Sequence, residues 1–214
     1  MTKSQQRNFI ITGAIGALVS FVALIVMFFL PTPFTPMNHF SILSGASVLS
    51  TEQLSAYKNY MTLNLTWDSL YLIGHVTMWF GYAALLFREN PVLAVFIAVL
   101  GFFCGWLDFT ENEIRWAALE ALLSKSHLPI SQIAQWRIIF GLSFWALFLC
   151  ALISGIAVLD RTGIRKLVCA IAVAGVLIAP MSYQSGFLPA FLWIIVWHAV
   201  SAVLLWSSRS VISE

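Results

Sequence analysis

The chain has 214 residues, of which 60% are hydrophobic and only 9% are charged, and its mean hydropathy is +0.90. A soluble domain of this length could not bury so much apolar surface, so the composition excludes a soluble fold and indicates an integral membrane protein. The formal net charge of +2 comes without a cluster of Lys and Arg, which excludes nucleic acid as a partner.

Six apolar stretches come close to the roughly 20 residues that a helix needs to cross the hydrocarbon core of a bilayer. They cover approximately residues 9–30, 67–87, 92–108, 137–159, 166–182 and 187–207. The sequence therefore predicts an all-α, polytopic membrane protein, with one transmembrane domain over residues 1–214 and a bundle of six helices. Single Pro and Gly residues separate some of the runs, so five or seven spans are the alternatives.

The first apolar stretch follows Lys3 and Arg7, as the apolar region of a secretory signal would. Its apolar run, from Phe9 to Leu30, is longer than a signal sequence requires, and no small-x-small cleavage site follows it. We predict that this stretch stays in the mature protein as a helix.

The two long connections, residues 31–66 and 109–136, lie on the same side of the predicted bundle. Ser50 and Gln53 have the spacing of a capping box, which predicts a helix that begins near Thr51 and continues into the second span. No Pro or Gly interrupts the first half of the second connection, so the third span is expected to extend outward. Both connections are thus partly helical, and together they predict a small helical cap on the outer side.

Lys and Arg residues are distributed unevenly between the two sides of the membrane. Cytoplasmic loops carry the excess of these residues, so the pattern predicts that both termini are cytoplasmic. The inner side then holds Lys3, Arg7, Arg88, Arg161, Arg165, Lys166 and Arg209, and the outer side holds Lys58, Arg115, Lys125 and Arg137. Short loops and compactness favour a bacterial inner membrane.

The second span carries polar residues on one helical face. Asp68, Tyr71 and His75 are spaced at i, i+3 and i+7, and Tyr82 continues the same face inward. Asp68 is expected near the outer interface, with His75 about 10 Å deeper.

The outer end of the third span has the same arrangement. Asp108, Glu111, Asn112 and Arg115 are spaced at i, i+3, i+4 and i+7, whereas Glu113 points elsewhere. Charged groups inside a span are costly and usually mark function, so this face and that of the second span are expected to converge.

The converging faces would bring carboxylates, imidazole, guanidinium and phenol groups together in the outer half of the bundle. Carboxylate and imidazole groups can exchange protons with a substrate, and guanidinium can bind a phosphate or carboxylate head group. The candidate catalytic residues are Asp68, His75, Asp108 and Glu111. The candidate ligand-binding residues are Tyr71, Asn112, Arg115 and Arg137, the last of which enters the fourth span at the same level.

Each of these candidates also has a structural interpretation. The carboxylates and arginines could form an ion-pair network that only joins helices, and His75 could form a hydrogen bond to a neighbouring helix. For His198, halfway along the sixth span, such a bond is the preferred interpretation. No His-x-x-x-His or Glu-x-x-His pair occurs, so no metal site is predicted, and no motif identifies a cofactor.

Two further sets of residues have expected structural roles. Five tryptophans near outer span ends are expected at the lipid interface, namely Trp67, Trp106, Trp116, Trp136 and Trp193. Five glycines inside spans are expected to permit close helix contacts, namely Gly13, Gly16, Gly74, Gly81 and Gly141.

Three functions are compatible with these residues. The first is binding, with or without chemical modification, of a lipid or other small amphipathic molecule in the outer leaflet. The second is an accessory subunit that contacts a protein partner in a larger membrane complex. The third is a proton-coupled transporter, which the scarcity of polar residues in the inner half of the bundle disfavours. Asp68, His75 and Asp108 facing one another around a cavity would favour the first function, and the same groups facing outward along one side of the monomer would favour the second.

Overall fold

A computed structural model describes residues 1–31, 49–124, 130–158, 163–185 and 188–209. These residues form six α-helices and contain no strand. The helices are α1 (Lys3–Phe29), α2 (Thr51–Leu86), α3 (Pro91–Leu123), α4 (Ile130–Ala157), α5 (Gly163–Ser185) and α6 (Leu188–Ser208). All six are long and apolar enough to cross a membrane, which confirms the predicted all-α membrane bundle.

Some sequence predictions fall outside the described residues. The connections predicted over residues 31–66 and 109–136 are described only in part. Residues 159 and 187, at the ends of two predicted spans, are not described. Lys125 and Arg161, which were counted when the Lys and Arg residues on the two sides of the membrane were compared, are not described either.

The start of α2 is fixed by the predicted capping box. Ser50 Oγ accepts a hydrogen bond from the Gln53 backbone N–H at 3.2 Å, and Gln53 Oε1 accepts one from the Ser50 N–H at 2.9 Å. These two bonds satisfy backbone donors that have no partner within the helix. The helix then runs without interruption for 36 residues, about 54 Å, and so reaches well beyond the hydrocarbon core.

The helices form a closed ring. Each helix packs against the next one in the chain, α6 returns to α1, and α2 also contacts α6 across the bundle. Lys3 and Arg209 lie at one end of the bundle, which we call the terminal end. Thr51 and Leu123 lie at the opposite end, which we call the cap end.

Small residues bring α1 and α2 into close contact. A Cβ atom added to Gly13 would lie only 2.4 Å from the Cα of Gly81, and one added to Gly16 would lie 2.6 Å from the carbonyl oxygen of Gly74. These four glycines therefore have the predicted role of permitting backbone contact between helices. The prediction for Gly141 was wrong, because a Cβ added there would lie more than 4 Å from every described residue of the other helices.

The bundle contains two separate hydrophobic cores. The main core occupies the membrane-spanning part and draws on all six helices. The smaller core, here called the cap core, lies at the cap end between α2, α3 and α4, and its buried residues are Tyr57, Met61, Leu65, Ala118, Leu119 and Trp136. The cap core holds the extensions of the three helices together, which confirms the predicted helical cap.

Of the five tryptophans predicted at the lipid interface, one is exposed, two are buried, and two, Trp67 and Trp116, are half-buried against the main core and the cap core, respectively. Trp106 is 58% exposed, as expected of a residue at the lipid interface. The prediction was wrong for Trp136 and Trp193, which are both only 5% exposed. Trp193 is accommodated inside because its Nε1–H donates to the Ile171 carbonyl at 2.7 Å and its ring stacks on Phe148.

Candidate functional site

An ion pair joins α2 to α3 near the cap end. Arg115 Nη1 donates to Asp68 Oδ2 at 2.9 Å and to Asn112 Oδ1 at 3.2 Å, while Nη2 donates to Asn64 Oδ1 at 2.5 Å. The two terminal nitrogens of the guanidinium are thus already engaged by three oxygens of the protein. This arrangement leaves Arg115 poorly suited to bind the phosphate or carboxylate head group that the sequence suggested.

Two more carboxylates lie beside this ion pair. Glu111 is buried, and Asp108 is half-buried and accepts a hydrogen bond from Ser143 Oγ of α4 at 3.4 Å. Both carboxylates are close enough to Asp68 and Arg115 for direct electrostatic interaction. The structure therefore brings the acidic faces of α2 and α3 together, as their spacing predicted.

These polar residues lie between the two hydrophobic cores. Along α2, Asp68 falls between Leu65 of the cap core and Tyr71 of the main core. Along α3, the polar face falls between Cys104 of the main core and Ala118 of the cap core. We call this set the polar layer, and its members are Asn64, Asp68, Asp108, Glu111, Asn112, Arg115 and Ser143.

The described polar layer contains more acidic than basic groups. Its carboxylates are Asp68, Asp108 and Glu111, and its cation is Arg115. Uncompensated charge is costly in a buried site, so three ionised carboxylates would need positive charge in addition to one guanidinium. Either a bound cation can supply this positive charge, or protons on the carboxylates can remove the need for it. Arg137, the other predicted guanidinium, has an exposed side chain near the start of α4.

The polar face of α2 continues into the main core through Tyr71 and His75. Tyr71 is buried, and its Oη lies 3.4 Å from Nδ1 of His75. The same Nδ1 lies 3.1 Å from Nε2 of His198 on α6. The two histidines, 123 residues apart in the chain, thus form a direct interhelical contact.

The neighbours of the two histidines determine where their protons lie. The Trp79 indole N–H can only donate, and it lies 2.9 Å from His75 Nε2, so this nitrogen must accept. The Ile194 carbonyl can only accept, and it lies 2.8 Å from His198 Nδ1, so this nitrogen must donate. With both rings neutral, the remaining proton is on His75 Nδ1 and is donated to His198 Nε2.

In this assignment the histidine pair is bounded by the Trp79 indole and by the Ile194 carbonyl, and neither group can relay a proton. The hydroxyl of Tyr71 is a third contact, 3.4 Å from His75 Nδ1. The geometry agrees with the structural interpretation of both His75 and His198 as interhelical hydrogen-bonding residues. Deeper in the bundle, Tyr82 and Ser201 form a separate hydroxyl pair at 2.9 Å between α2 and α6.

Several residues of these networks were not identified from the sequence. Asn64 lies four residues before Asp68, so the helical spacing that identified Asp68 could have identified it too. Trp79 likewise lies four residues after His75. Ser143 and Ser201 carried no such signal, because their partners are on other helices.

The described residues contain no group of three or more His, Cys, Asp or Glu side chains arranged to hold a metal ion. Comparisons with protein-family models, with curated proteins and with solved structures find no match to this chain. The function therefore has to be inferred from the polar layer and its surroundings.

Proposed function

We propose that the protein binds an amphipathic molecule with a cationic head group, which is held by Asp108 and Glu111 in the polar layer. The observation that carries this proposal is the excess of carboxylate over guanidinium among the described residues of the layer. The described hydrogen bond from Arg115 to a carboxylate goes to Asp68, and Asp108 accepts one from Ser143, so Asp108 and Glu111 can each accept further hydrogen bonds from a ligand. A primary ammonium group suits them because it is compact, positively charged and has three hydrogen-bond donors.

The position of the polar layer supports a ligand that is partly apolar. The layer lies between a membrane-spanning core and a cap core. Trp106 and Phe109, on either side of Asp108 in α3, are 58% and 50% exposed. An alkyl chain in the bilayer can therefore lie close to α3 while its head group reaches the carboxylates.

The proposal concerns binding rather than a chemical reaction. Both ring nitrogens of His75 are engaged, by His198 and by Trp79, and the residue is only 2% exposed. We therefore assign His75 a structural role, in which it contacts Tyr71 and joins α2 to α6 through His198. A general base would need a nitrogen free to accept a proton from a substrate.

The other two functions are less well supported. An accessory subunit would present its polar cluster to a partner, whereas Asp68, Asp108 and Arg115 converge between α2, α3 and α4. A proton-coupled transporter needs a hydrogen-bonded path across the membrane. In the described part of the bundle, the network below Tyr71 ends at Trp79 and at a backbone carbonyl.

We also propose that the terminal end faces the cytoplasm of a bacterium and the cap end faces the outside. The excess of Lys and Arg at the terminal end supports this orientation. The described cations at that end are Lys3, Arg7, Arg88, Arg165, Lys166 and Arg209. The polar layer would then lie at the level of the outer leaflet.

Native mass spectrometry of the protein extracted gently from its own membrane tests the site directly. We expect a small molecule that remains bound to the wild type and to Glu113→Gln but is lost in Asp108→Asn. Glu113 is a matched control because it lies on the same helix and its side chain is exposed. A stoichiometric protein partner with no such small molecule would support the accessory-subunit function instead.

A binding assay with defined probes tests the charge of the head group. In a neutral detergent, dodecylammonium should bind at least tenfold more tightly than dodecyl phosphate, as measured by isothermal titration calorimetry. Asp108→Asn and Glu111→Gln should each weaken dodecylammonium binding by about tenfold or more, since charged hydrogen bonds contribute about 1.5–3 kcal/mol. Equal binding of the two probes, or equal weakening in Glu113→Gln, would refute the proposal.

A further inference from the structure

A partly open cavity lies at the terminal end of the bundle, opposite to the polar layer. Its volume is about 180 Å³, large enough for more than one water molecule. The cavity is lined by the start of α1, the end of α2, the start of α5 and the end of α6. Its polar lining consists of Lys3, Gln6, Arg88, Glu89, Arg165 and Ser208.

The lining of this cavity is positively charged. Lys3, Arg88 and Arg165 contribute three cations, and Glu89 contributes one carboxylate. Lys3 is the first residue of α1, and Arg165 lies in the first turn of α5. Both helices therefore direct the positive ends of their dipoles towards the cavity, which adds to the attraction for an anion.

Gln6 supplies an observation that is independent of the charges. Its side chain is only 2% exposed, and its Nε2 donates to the Ala84 carbonyl of α2 at 2.8 Å. That carbonyl can only accept, so the amide orientation is fixed and Oε1 is left as an acceptor. Oε1 has no hydrogen-bond partner among the described residues. A buried acceptor without a donor is costly, so Gln6 is suited to a donor supplied by a ligand.

We infer that this cavity binds a phosphate ester whose substituent carries a hydrogen-bond donor. Lys3, Arg88 and Arg165 bind the phosphate, because cations form the strongest hydrogen bonds to it. Gln6 Oε1 and the Glu89 carboxylate accept hydrogen bonds from an ammonium or hydroxyl group of the substituent. The phosphate ester can be the head group of a membrane phospholipid or a soluble molecule.

The position of the cavity makes a phospholipid head group accessible to it. The cavity lies at the ends of four helices that are long and apolar enough to cross a membrane, and lipid head groups are expected at the ends of such helices. Basic pockets between helices on the cytoplasmic side of membrane proteins are known to bind such head groups. The inference does not depend on the function proposed for the polar layer, since the two sites lie at opposite ends of the bundle.

Native mass spectrometry of the full chain, purified without lipid in neutral detergent, tests the inference with two matched probes. Phosphatidylethanolamine and phosphatidylcholine have the same net charge, but only the first has N–H donors in its head group. We expect one molecule of phosphatidylethanolamine to bind about tenfold more tightly than phosphatidylcholine. Equal binding of the two lipids would overturn the inference.

Variants test whether the preference for phosphatidylethanolamine depends on residues of the cavity. Arg88→Gln should weaken the binding of both lipids, and Gln6→Met should reduce the preference between them. Lys166→Gln is the control, because Lys166 is exposed at the same end and is not among the lining residues. The preference should persist in Asp108→Asn, which separates this cavity from the polar layer. Equal losses in Lys166→Gln and Arg88→Gln would show general attraction to a basic surface and refute the site.

A competition experiment identifies the source of the phosphate ester. Phosphoethanolamine is the soluble head group of the preferred lipid. Displacement of the lipid by millimolar phosphoethanolamine, with the same dependence on Gln6 and Arg88, would identify a soluble phosphate ester as a ligand. Retention of the lipid under these conditions would identify the phospholipid itself as the ligand.

Discussion

Arg115 and Asp68, which are 47 residues apart, form an ion pair of 2.9 Å that joins α2 to α3 at the boundary between the two hydrophobic cores. Asp108 lies in the same polar layer, but its described hydrogen bond comes from the hydroxyl of Ser143. The two aspartates thus differ in role, although they carry the same functional group. Asp68 is ion-paired with Arg115, whereas Asp108 is one of the carboxylates that exceed the number of guanidinium groups in the described polar layer.

Thermal unfolding in detergent should separate these two roles. Asp68→Asn removes the charge that faces Arg115, so we expect it to lower the free energy of unfolding by about 2 kcal/mol. Asp108→Asn removes one of the excess negative charges and should change the stability by less than about 0.5 kcal/mol. A large and equal loss in both variants would show that the whole polar layer is a structural ion-pair network.

The histidine pair provides a prediction about proton positions. In the folded protein, ¹⁵N chemical shifts should show His75 and His198 as neutral rings that are both protonated at Nδ1. Trp79→Phe removes the donor to His75 Nε2, but His198 Nε2 still accepts, so His75 should keep its proton on Nδ1 in this variant as well. Detection of the Nε2–H tautomer of His75 in the wild type would contradict the assignment.

The stability of the same pair can be measured with a double-mutant cycle. His75→Ala and His198→Ala each leave a buried polar partner unsatisfied, so each should cost about 1–3 kcal/mol. The double variant should cost less than the sum of the two, with a coupling of about 1 kcal/mol, because the residues are in direct contact. Additive losses would indicate that the 3.1 Å contact does not contribute to stability.

The contact between α1 and α2 gives a prediction with an internal control. A Cβ on Gly81 would lie 2.7 Å from the Cα of Gly13, so Gly81→Ala must push two backbones apart and should cost about 2 kcal/mol or more. Gly141→Ala meets no described residue of the other helices within 4 Å and should be neutral or stabilising by up to about 1 kcal/mol, because alanine is a better helix former. Similar effects of the two substitutions on the melting temperature would contradict the close packing.

The proposed orientation can be tested with single cysteines and a thiol reagent that does not cross membranes. Gln5 and Ser55 are exposed at the terminal end and the cap end, respectively. In intact bacterial cells, Ser55→Cys should react and Gln5→Cys should react only after the membrane is permeabilised. Wild-type protein, with its own cysteines Cys104, Cys150 and Cys169, is the background control. The opposite labelling pattern would reverse the orientation.

Features that depend on local spacing could be predicted from the amino-acid sequence. Long apolar runs specify membrane-spanning helices, because only a helix satisfies its own backbone hydrogen bonds in a bilayer. The spacing of Ser50 and Gln53 specified the start of α2. The helical period placed Asp68, Tyr71 and His75 on one face, since residues three, four and seven apart lie on the same side of a helix.

The helix faces that meet and the side chains that pair could not be predicted in this way, because they depend on the packing of helices against one another. His75 contacts His198 across 123 residues, and Asp108 accepts from Ser143 of another helix. Trp136 and Trp193 are buried, while Trp106 faces outward, although all three lie near span ends. In a membrane protein, apolar side chains cover both the lipid-facing and the interior surfaces, so periodicity does not identify the buried face. Close packing between particular helices decides it, and that packing depends on contacts between residues far apart in the chain.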